Sequence, residues 1–275
     1  MNTLTDRVAL VSGSGRGIGA EIARKLAAHG ARVVVNDLDP AAAAEVTADI
    51  TARGGTAVAC AGDVTEAGFA DHFVATAVDE FGGLDIIVNN AGYTWDGVVQ
   101  KMSDEQWDAI LDVHLKAPFR ILRAAQPVIS TAAKREQAEG NPVTRKVVNI
   151  SSLAGLSGNA GQINYSSAKA GLLGMTKAMA KEWGRYRVTV NAVAFGLIRT
   201  RLTEATAGED ASITVGDREI RVGVNPLVLQ AAQHLAPLGR LGTPEEAAGA
   251  VYLLCLPESD YVTGEVLACS GGLVG

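Results

Sequence analysis

A tyrosine and a lysine four residues apart are the side chains in this sequence best suited to acid–base chemistry. Tyr165 and Lys169 lie in the segment NYSSAK, and Ser152 stands thirteen residues before the tyrosine. On a helix, positions i and i+4 share one face, so the ammonium group can sit beside the phenol and lower its pKa from about 10. A phenol shifted in this way can exchange a proton with an alcohol or ketone near neutral pH. Such pairs are also common on exposed helices, so this spacing alone does not show that the pair is catalytic, and other parts of the sequence are needed.

Length, charge and cysteine usage limit the classes of protein that the chain can belong to. It has 275 residues, 48% of them hydrophobic, and a net charge of −6 without a lysine/arginine block, which argues against nucleic acid or an anionic membrane as partner. Cys60, Cys255 and Cys269 lack metal-ligand spacing, which predicts buried thiols in a reducing compartment and no metal site. No apolar run reaches the roughly 18 residues of a membrane helix, and no signal-peptide core is visible. We therefore expect a cytoplasmic protein.

Short β-branched runs alternate with long helical patterns along the chain. The strand candidates are Arg7–Val11, Arg32–Asn36, Thr56–Cys60, Asp85–Asn89, Lys146–Ile150, Val188–Ala194 and Val266–Cys269. The helix candidates include Ile18–His29, Ala41–Arg53, Glu66–Phe81, Glu105–Ile129, Tyr165–Gly184 and Pro244–Cys255. Apolar strands alternating with helices predict a doubly wound α/β fold, with about seven parallel strands and helices on both faces. No repeat or linker divides the chain, so we predict one domain over residues 1–275.

Two segments look like insertions into this pattern. Lys134–Arg145 is charged and contains Gly140 and Pro142, which predicts a surface loop. Thr203–Gly239 is too long for a simple connection, and within it Ile213–Val222 alternates around a Gly-Asp turn like a small hairpin. Because this connection comes late in the fold, we expect it to form a lid over the substrate pocket.

A glycine-rich loop follows the first predicted strand and opens the first predicted helix. Its glycines Gly13, Gly17 and Gly19 are spaced G-x-x-x-G-x-G. Glycines at such a junction let the backbone turn tightly and approach a pyrophosphate, which the free N–H groups of the helix then bind. The position indicates a Rossmann-type dinucleotide-binding loop rather than an ordinary turn.

The second strand ends in a carboxylate that bears on the choice of cofactor. Asp37 can accept hydrogen bonds from a ribose diol and would repel a 2′-phosphate, whereas Arg16 in the glycine loop could attract that phosphate. Arg16 can equally serve the pyrophosphate, so we expect NAD rather than NADP. Asp63, after the third strand, is placed either to bond the adenine or to cap a helix.

These features, taken in order, resemble the short-chain dehydrogenase/reductase family from Arg7 to about Gly272. The matching elements are the Ser12–Gly19 loop, Asp63-Val64, Asn89-Asn90-Ala91-Gly92, Ser152, the Tyr165/Lys169 pair and Asn191–Gly196. The resemblance implies that Tyr165 is the acid/base, that Ser152 hydrogen-bonds the substrate oxygen, and that Lys169 bonds the nicotinamide ribose. The cofactor contacts that it implies are Gly13, Arg16, Gly17, Ile18, Gly19, Asp37, Asp63, Val64, Asn90, Gly92, Tyr165, Lys169, Ile198 and Thr200.

Two residues depart from the family pattern. His114 stands on the long middle helix where the family has an asparagine that completes a proton relay. Imidazole can replace the amide in holding a water, and it can also titrate near pH 6.5, so we expect activity to fall or shift as His114 becomes protonated. A histidine bonded to a backbone carbonyl is the alternative. Phe195 replaces a proline before Gly196, which would set a bulky ring beside the nicotinamide.

By resemblance, the chain is an oxidoreductase that interconverts a secondary alcohol and a ketone. It looks most like members that act on 3-oxoacyl or 3-hydroxyacyl thioesters, although an apolar lid also suits a small cyclic or steroid-like ketone. A non-catalytic NAD-binding sensor or scaffold and an epimerase or dehydratase on the same fold remain alternatives. The segment Gly264–Leu267 resembles a strand at subunit interfaces of the family, which implies a homo-oligomer, either a tetramer or a dimer.

Overall fold

A seven-stranded parallel sheet forms the centre of the computed structural model, which describes residues 3–200, 212–215, 218–221 and 226–273. Its strands are β1 (Val8–Val11), β2 (Arg32–Val35), β3 (Thr56–Ala59), β4 (Ile86–Asn89), β5 (Arg145–Ser152), β6 (Val188–Phe195) and β9 (Val266–Cys269), and β7 (Ser212–Val215) and β8 (Arg218–Arg221) form a separate pair. The order in the sheet is β3-β2-β1-β4-β5-β6-β9, and all neighbours run parallel. From β1 the chain adds β2 and β3 on one side, and it then places β4 on the other side of β1. In folds of this kind, such a change of side opens a crevice at the carboxyl ends of the strands.

Helices cover both faces of this sheet. They are α1 (Gly17–Ala28), α2 (Pro40–Ala52), α3 (Phe69–Phe81), α4 (Asp104–Leu111), α5 (Ala117–Ala138), α6 (Ala154–Ser157), α7 (Ile163–Trp183), α8 (Pro226–Leu235) and α9 (Pro244–Cys255). Apolar residues of α1, α2 and α9 pack on one face, and those of α3, α5 and α7 pack on the other. The prediction of a doubly wound α/β fold is therefore confirmed. Among the described residues, no helix combines the length and apolar character needed to cross a membrane.

The middle of the chain differs from the sequence prediction in two places. The helix predicted over Glu105–Ile129 is divided into α4, a π-helical turn at Asp112–Lys116, and α5. The prediction of a surface loop over Lys134–Arg145 is wrong at both ends of the segment. Helix α5 continues to Ala138, and Arg145 is the first residue of β5. Arg145 is buried and donates hydrogen bonds of 2.9 and 2.6 Å to the Glu136 carboxylate. This buried ion pair ties the two ends together, and the charged composition of the segment did not reveal it.

The predicted hairpin in the long late connection is present as β7 and β8. The two strands pair antiparallel, with Ser212 opposite Arg221 and Val215 opposite Arg218. The predicted Gly216-Asp217 turn lies outside the described residues, as do residues 203–211 and 222–225 of the predicted lid. Helix α8 occupies most of the remaining part of this connection.

Candidate active site

The loops that follow β1, β4, β5 and β6 meet at the carboxyl edge of the sheet. The Ser12 hydroxyl accepts hydrogen bonds from the backbone N–H groups of Asn90 (3.0 Å) and Ala91 (3.1 Å), which joins the first two loops. The backbone N–H of Leu153 donates to the Phe195 carbonyl at 2.9 Å, which joins the other two. Because parallel strands present all their carboxyl ends at one edge, residues far apart in sequence come together here.

Ser152, Tyr165 and Lys169 are brought together by close packing of β5 and α6 against α7. The Ser151 hydroxyl donates to the Lys169 carbonyl at 3.1 Å, and a Cβ on Gly155 would lie 2.9 Å from the Lys169 Cβ. This close approach sets Ser152, the last residue of β5, within hydrogen-bond reach of the Tyr165 hydroxyl. The Lys169 Nζ lies 5.6 Å from the centre of the Tyr165 ring and donates to the Ile150 carbonyl at 2.6 Å. Three of the four residues predicted as catalytic, Ser152, Tyr165 and Lys169, therefore form one cluster.

The protein's own groups shift the pKa values of this cluster against the sequence expectation. Burial raises the pKa of Tyr165 to about 12; the Ser152 hydrogen bond lowers it and the charge of Asp96 raises it further. Burial also lowers the pKa of Lys169 to about 7, so the lysine is only partly charged at neutral pH. The expected lowering of the tyrosine pKa by Lys169 is thus outweighed by desolvation. Tyr165 is only partly buried, so solvent moderates the shift of its pKa.

His114 lies on the π-helical turn and contacts Tyr165. Its ring meets the Tyr165 ring edge to face, with 5.1 Å between centroids. A Cβ on Gly92 would lie 1.9 Å from the His114 Cε1, so the histidine occupies space that only a glycine at position 92 leaves open. The π turn, a form common at functional sites, therefore presents His114 to the residues predicted for catalysis.

The tautomer and charge of His114 follow from its contacts. Its Nε2 lies 2.7 Å from the Tyr93 carbonyl oxygen, which can only accept, so Nε2 carries the proton. Its Nδ1 is buried and has no hydrogen-bond partner among the described residues. Burial, and secondly the nearby Lys169 charge, hold the His114 pKa well below 6.5, although the Tyr93 carbonyl raises it. The expected titration near pH 6.5 is wrong for this site, because the imidazole stays neutral.

The glycine loop forms a cradle that side chains would fill. Gly13 has φ +60°, and a Cβ there would lie 2.6 Å from the Ala91 Cα. A Cβ on Gly19 would lie 2.1 Å from the Gly13 carbonyl oxygen. Helix α1 begins at Gly17, and the side chain of its N-cap residue Arg16 makes no capping hydrogen bond, which leaves N–H groups of the first turn available to a ligand. A pyrophosphate fits such a helix terminus, as the sequence predicted for Gly13, Gly17 and Gly19.

Hydrogen bonds fix the carboxylate at the end of β2. One Asp37 oxygen accepts from the backbone N–H of Gly15 and the other from that of Asp39, both at 3.0 Å. The Arg16 guanidinium is bonded to the Asp39 carboxylate, and both side chains are about half exposed. The one cation of the loop is therefore already paired with a neighbouring acid.

The other predicted cofactor residues also border this edge. An Asp63 oxygen accepts from the backbone N–H and the hydroxyl of Thr65, both at 2.7 Å, so the cap-like turn is present and adenine binding stays a prediction. The Asn90 amide donates to the Gly13 carbonyl at 2.8 Å. The remaining residues are placed as follows: Ile18 packs on the core, Val64 is buried beside Asp63, Ile198 is buried after β6, and Thr200 lies 3.9 Å from a Cβ built on Gly17. Phe195 is buried in the core cluster that also contains residues of α1 and α9, and a position of its ring beside the nicotinamide stays a prediction.

Asp96 is a residue of the site that the sequence reasoning missed. It lies in the loop after β4, and the Gln162 side-chain amide donates to its carboxylate at 2.8 Å. Gln162 directly precedes α7, only three residues before Tyr165. A charged residue six positions after Asn90, between Trp95 and Gly97, was the signal that could have indicated it. The described residues hold no group of three or more His, Cys, Asp or Glu side chains suited to a metal ion.

Comparison with known proteins places this geometry in a family. A family model described as enoyl-(acyl carrier protein) reductase matches residues 13–274. A 3-oxoacyl-[acyl-carrier-protein] reductase of Synechocystis is 40% identical, covering 100% of this chain and 99% of its own. The short-chain reductase protein NovJ of Streptomyces niveus is 39% identical, covering 97% and 94%. A short-chain dehydrogenase/reductase mutant of Serratia marcescens superposes with a TM-score of 0.82 at 30% identity, covering 98% of both chains.

The matches span almost the full chain, and the solved structure shares the overall fold. Such a protein transfers a hydride between a nicotinamide cofactor and a ketone or alcohol group. This chain belongs to the short-chain dehydrogenase/reductase family and is an oxidoreductase.

Proposed function

We propose that this protein interconverts a 3-oxoacyl and a 3-hydroxyacyl thioester, with Tyr165 as the acid/base. The observation that carries the proposal is the meeting of Ser152, Tyr165 and Lys169 at the sheet edge that also holds the glycine loop. The Synechocystis relative, named a 3-oxoacyl-[acyl-carrier-protein] reductase, supports the substrate class. A small cyclic or steroid-like ketone is the alternative substrate.

The protein groups of this site suit proton transfer to a carbonyl oxygen. The bound nicotinamide would supply the hydride, and negative charge then builds on that oxygen. The Ser152 and Tyr165 hydroxyls stabilise this charge by hydrogen bonds, and Tyr165 gives up its proton. Because the pKa of Tyr165 lies at about 12, the phenol is protonated at neutral pH and is ready to act as the acid. Lys169, whose pKa lies at about 7, can return a proton to Tyr165 in the same pH range.

His114 extends this path as a relay residue. Its Nδ1 is a buried acceptor without a partner among the described residues, and its ring contacts Tyr165. A neutral imidazole whose Nε2 proton is donated to the Tyr93 carbonyl can accept a hydrogen bond from a water at Nδ1. It therefore orients the proton path and does not itself carry the charge.

NAD is the cofactor that we propose, rather than NADP. The Asp37 carboxylate is fixed at the end of β2, where the ribose of a bound dinucleotide would lie, and it repels a 2′-phosphate. Arg16, the cation that could favour the phosphate, is already paired with Asp39. The contacts proposed for the cofactor remain those inferred from the sequence, with Asp63 and Val64 on the adenine side and Ile198 and Thr200 on the carboxamide side.

We also propose a cytoplasmic location for the protein. The three cysteines are free thiols, two of them buried, which supports a reducing cytoplasm.

Strand β9 is an edge of the sheet, and its Leu267 is 37% exposed, which supports pairing of subunits along this edge. We propose a homotetramer, with a dimer as the alternative; light scattering distinguishes these two states from a monomer.

Transfer of deuterium from labelled cofactor tests the function directly. The protein is mixed with NADH or NADPH deuterated at nicotinamide C4 and with acetoacetyl-N-acetylcysteamine, ethyl acetoacetate or cyclohexanone. We expect NADH oxidation with the thioester and deuterium on the carbinol carbon of the product. Tight NADH binding without turnover of any ketone would favour a sensor or scaffold. Conversion of a sugar nucleotide without net oxidation of NADH would favour an epimerase or dehydratase.

A further inference from the structure

The Asp96 carboxylate is bonded to the residue that directly precedes the helix of the proposed catalytic tyrosine. The Asp96 carboxylate accepts a 2.8 Å hydrogen bond from the Gln162 side chain, and Asp96 is exposed to solvent. Gly97 and Gln162 form a β-bridge, and the Gly97 N–H donates to the Gly161 carbonyl at 2.8 Å. The loop that carries Asp96 is thus joined to the start of the helix that carries Tyr165.

A second contact holds this loop in place. The buried Asn164 amide donates to the carbonyls of Trp95 and Gln106, both at 3.1 Å. Asn164 also accepts from the backbone N–H of Tyr165 at 2.8 Å. The residues on both sides of Asp96 are therefore held by hydrogen bonds to the start of the helix that carries the tyrosine.

The charge of Asp96 acts on the reacting end of the site. It raises the pKa of Tyr165, and partial burial raises the pKa of Asp96 itself despite the Gln162 hydrogen bond. A negative charge close enough to affect the tyrosine also affects a substrate whose carbonyl oxygen bonds to that tyrosine. Among the described residues, the Asp96 carboxylate forms no ion pair, and Gln162, which donates to it, is neutral.

We propose that Asp96 determines the charge of the substrates that this site accepts. Its carboxylate disfavours substrates with a negative charge next to the reacting carbonyl, and it accepts a hydrogen bond from a hydroxyl or amide N–H of a neutral substrate. A 3-oxoacyl ester or thioester is neutral at this position, whereas the free 3-oxo acid is an anion. The inference rests on the proposed function and narrows its substrate class to neutral 3-oxoacyl derivatives.

A matched pair of substrates isolates the effect of this charge. Acetoacetate and ethyl acetoacetate share the reacting ketone and differ in the charge beside it. We expect Asp96→Asn to raise kcat/KM for acetoacetate relative to the ester by about five- to tenfold, the size of one charge interaction at several ångströms in a partly solvated site. Asp96→Glu keeps the charge and should keep the wild-type ratio. Asp108→Asn, on the exposed face of α4, is the control for a loss of charge elsewhere.

The outcomes separate this inference from the proposed function. A ratio that stays within about twofold of wild type in an active Asp96→Asn variant overturns the role of Asp96 alone. If that variant fails to fold, Asp96→Ser removes the charge with a smaller side chain, and the same ratio decides. A loss of activity on both substrates, with the ratio unchanged, would also contradict the inference. A wild-type protein that oxidises NADH with no neutral ketone would instead count against the proposed function.

Discussion

The glycine loop and the cluster of Ser152, Tyr165 and Lys169 lie at the same edge of the sheet but are built in opposite ways. Around the loop, polar groups are paired within the protein: Asn36 bonds Gly13, Asp37 bonds Gly15, and Asn90 bonds Gly13. In the cluster, burial shifts the pKa values of Tyr165 and Lys169, and a nitrogen of His114 has no partner among the described residues.

This difference matches the two tasks that we propose, cofactor binding by the loop and proton transfer by the cluster. The loop has to present a fixed backbone shape to a phosphate, which satisfied hydrogen bonds and missing side chains provide. The cluster has to move a proton, which requires groups whose pKa values are shifted by their environment. Variants of the loop should therefore change cofactor binding, and variants of the cluster should change rates and pH dependence.

Filling the loop should have the largest effect on cofactor binding. In Gly19→Ala, the new Cβ would lie 2.1 Å from the Gly13 carbonyl oxygen and 2.5 Å from the Asn90 amide nitrogen, so the backbone has to move. We expect the Kd for NADH to rise about a hundredfold or more, as measured by fluorescence titration. Gly174→Ala, where a Cβ meets no atom within 4 Å, is the matched control. Wild-type affinity in Gly19→Ala would contradict the assignment of the cradle.

Removing the buried lysine should slow the reaction and alter the pH dependence of stability. Lys169→Met should lower kcat about a hundredfold, because the proton supply to Tyr165 is lost. The pKa of Lys169 falls from 10.5 to about 7 on folding, so the unfolded chain binds more protons between these values, and the free energy of unfolding rises with pH there.

The stability effect can be measured with urea at pH 7 and pH 9. We expect Lys169→Met to remove a rise of roughly 1 kcal/mol per pH unit that the wild type shows over this interval. Lys177→Met, an exposed lysine of α7, should leave that rise in place. Equal pH dependence in the wild type and in Lys169→Met would mean that the lysine is not buried as described.

Changing the Asp37 carboxylate, which follows β2, should alter the preference between NADH and NADPH by a smaller factor than the two changes above. Asp37→Asn removes the charge that repels a 2′-phosphate, and we expect kcat/KM for NADPH relative to NADH to rise about tenfold. Glu45→Gln, on the exposed side of α2, controls for a general change of charge. A wild type that prefers NADPH would contradict the proposal of NAD.

The smallest effect is expected for the histidine of the π turn. The His114 pKa lies well below 6.5, so its charge does not change between about pH 6 and pH 8. We expect His114→Asn to lower kcat less than about tenfold and to leave the shape of the pH–rate profile unchanged, since an amide can also accept the hydrogen bond. The exposed His72→Gln is the control. An activity loss near pH 6.5 in the wild type that disappears in His114→Asn would show that the histidine titrates.

The sequence predicted the parts of the site that depend on spacing. Tyr165 and Lys169 are one helical turn apart, and the glycines join a strand to a helix, so each group is local in the chain. The sheet followed from the alternation of strands and helices in the same way. These patterns need no knowledge of which distant residues pack together.

What the sequence did not predict depends on tertiary packing. The pKa directions of Tyr165 and His114 are set by burial, which no local pattern reveals. The extension of α5 depends on the buried pairing of Glu136 with Arg145, and Asp96 gains its role only because the loop after β4 reaches α7.

The role of Tyr165 is the central claim, and one pair of measurements tests it most directly. Steady-state reduction of acetoacetyl-N-acetylcysteamine and fluorescence titration with NADH are carried out on the wild type and on Tyr165→Phe. We expect kcat/KM to fall at least about a thousandfold, while the Kd for NADH changes by less than about threefold, because only the proton donor is lost. A Tyr165→Phe enzyme that keeps more than about a tenth of the wild-type kcat/KM would contradict the account.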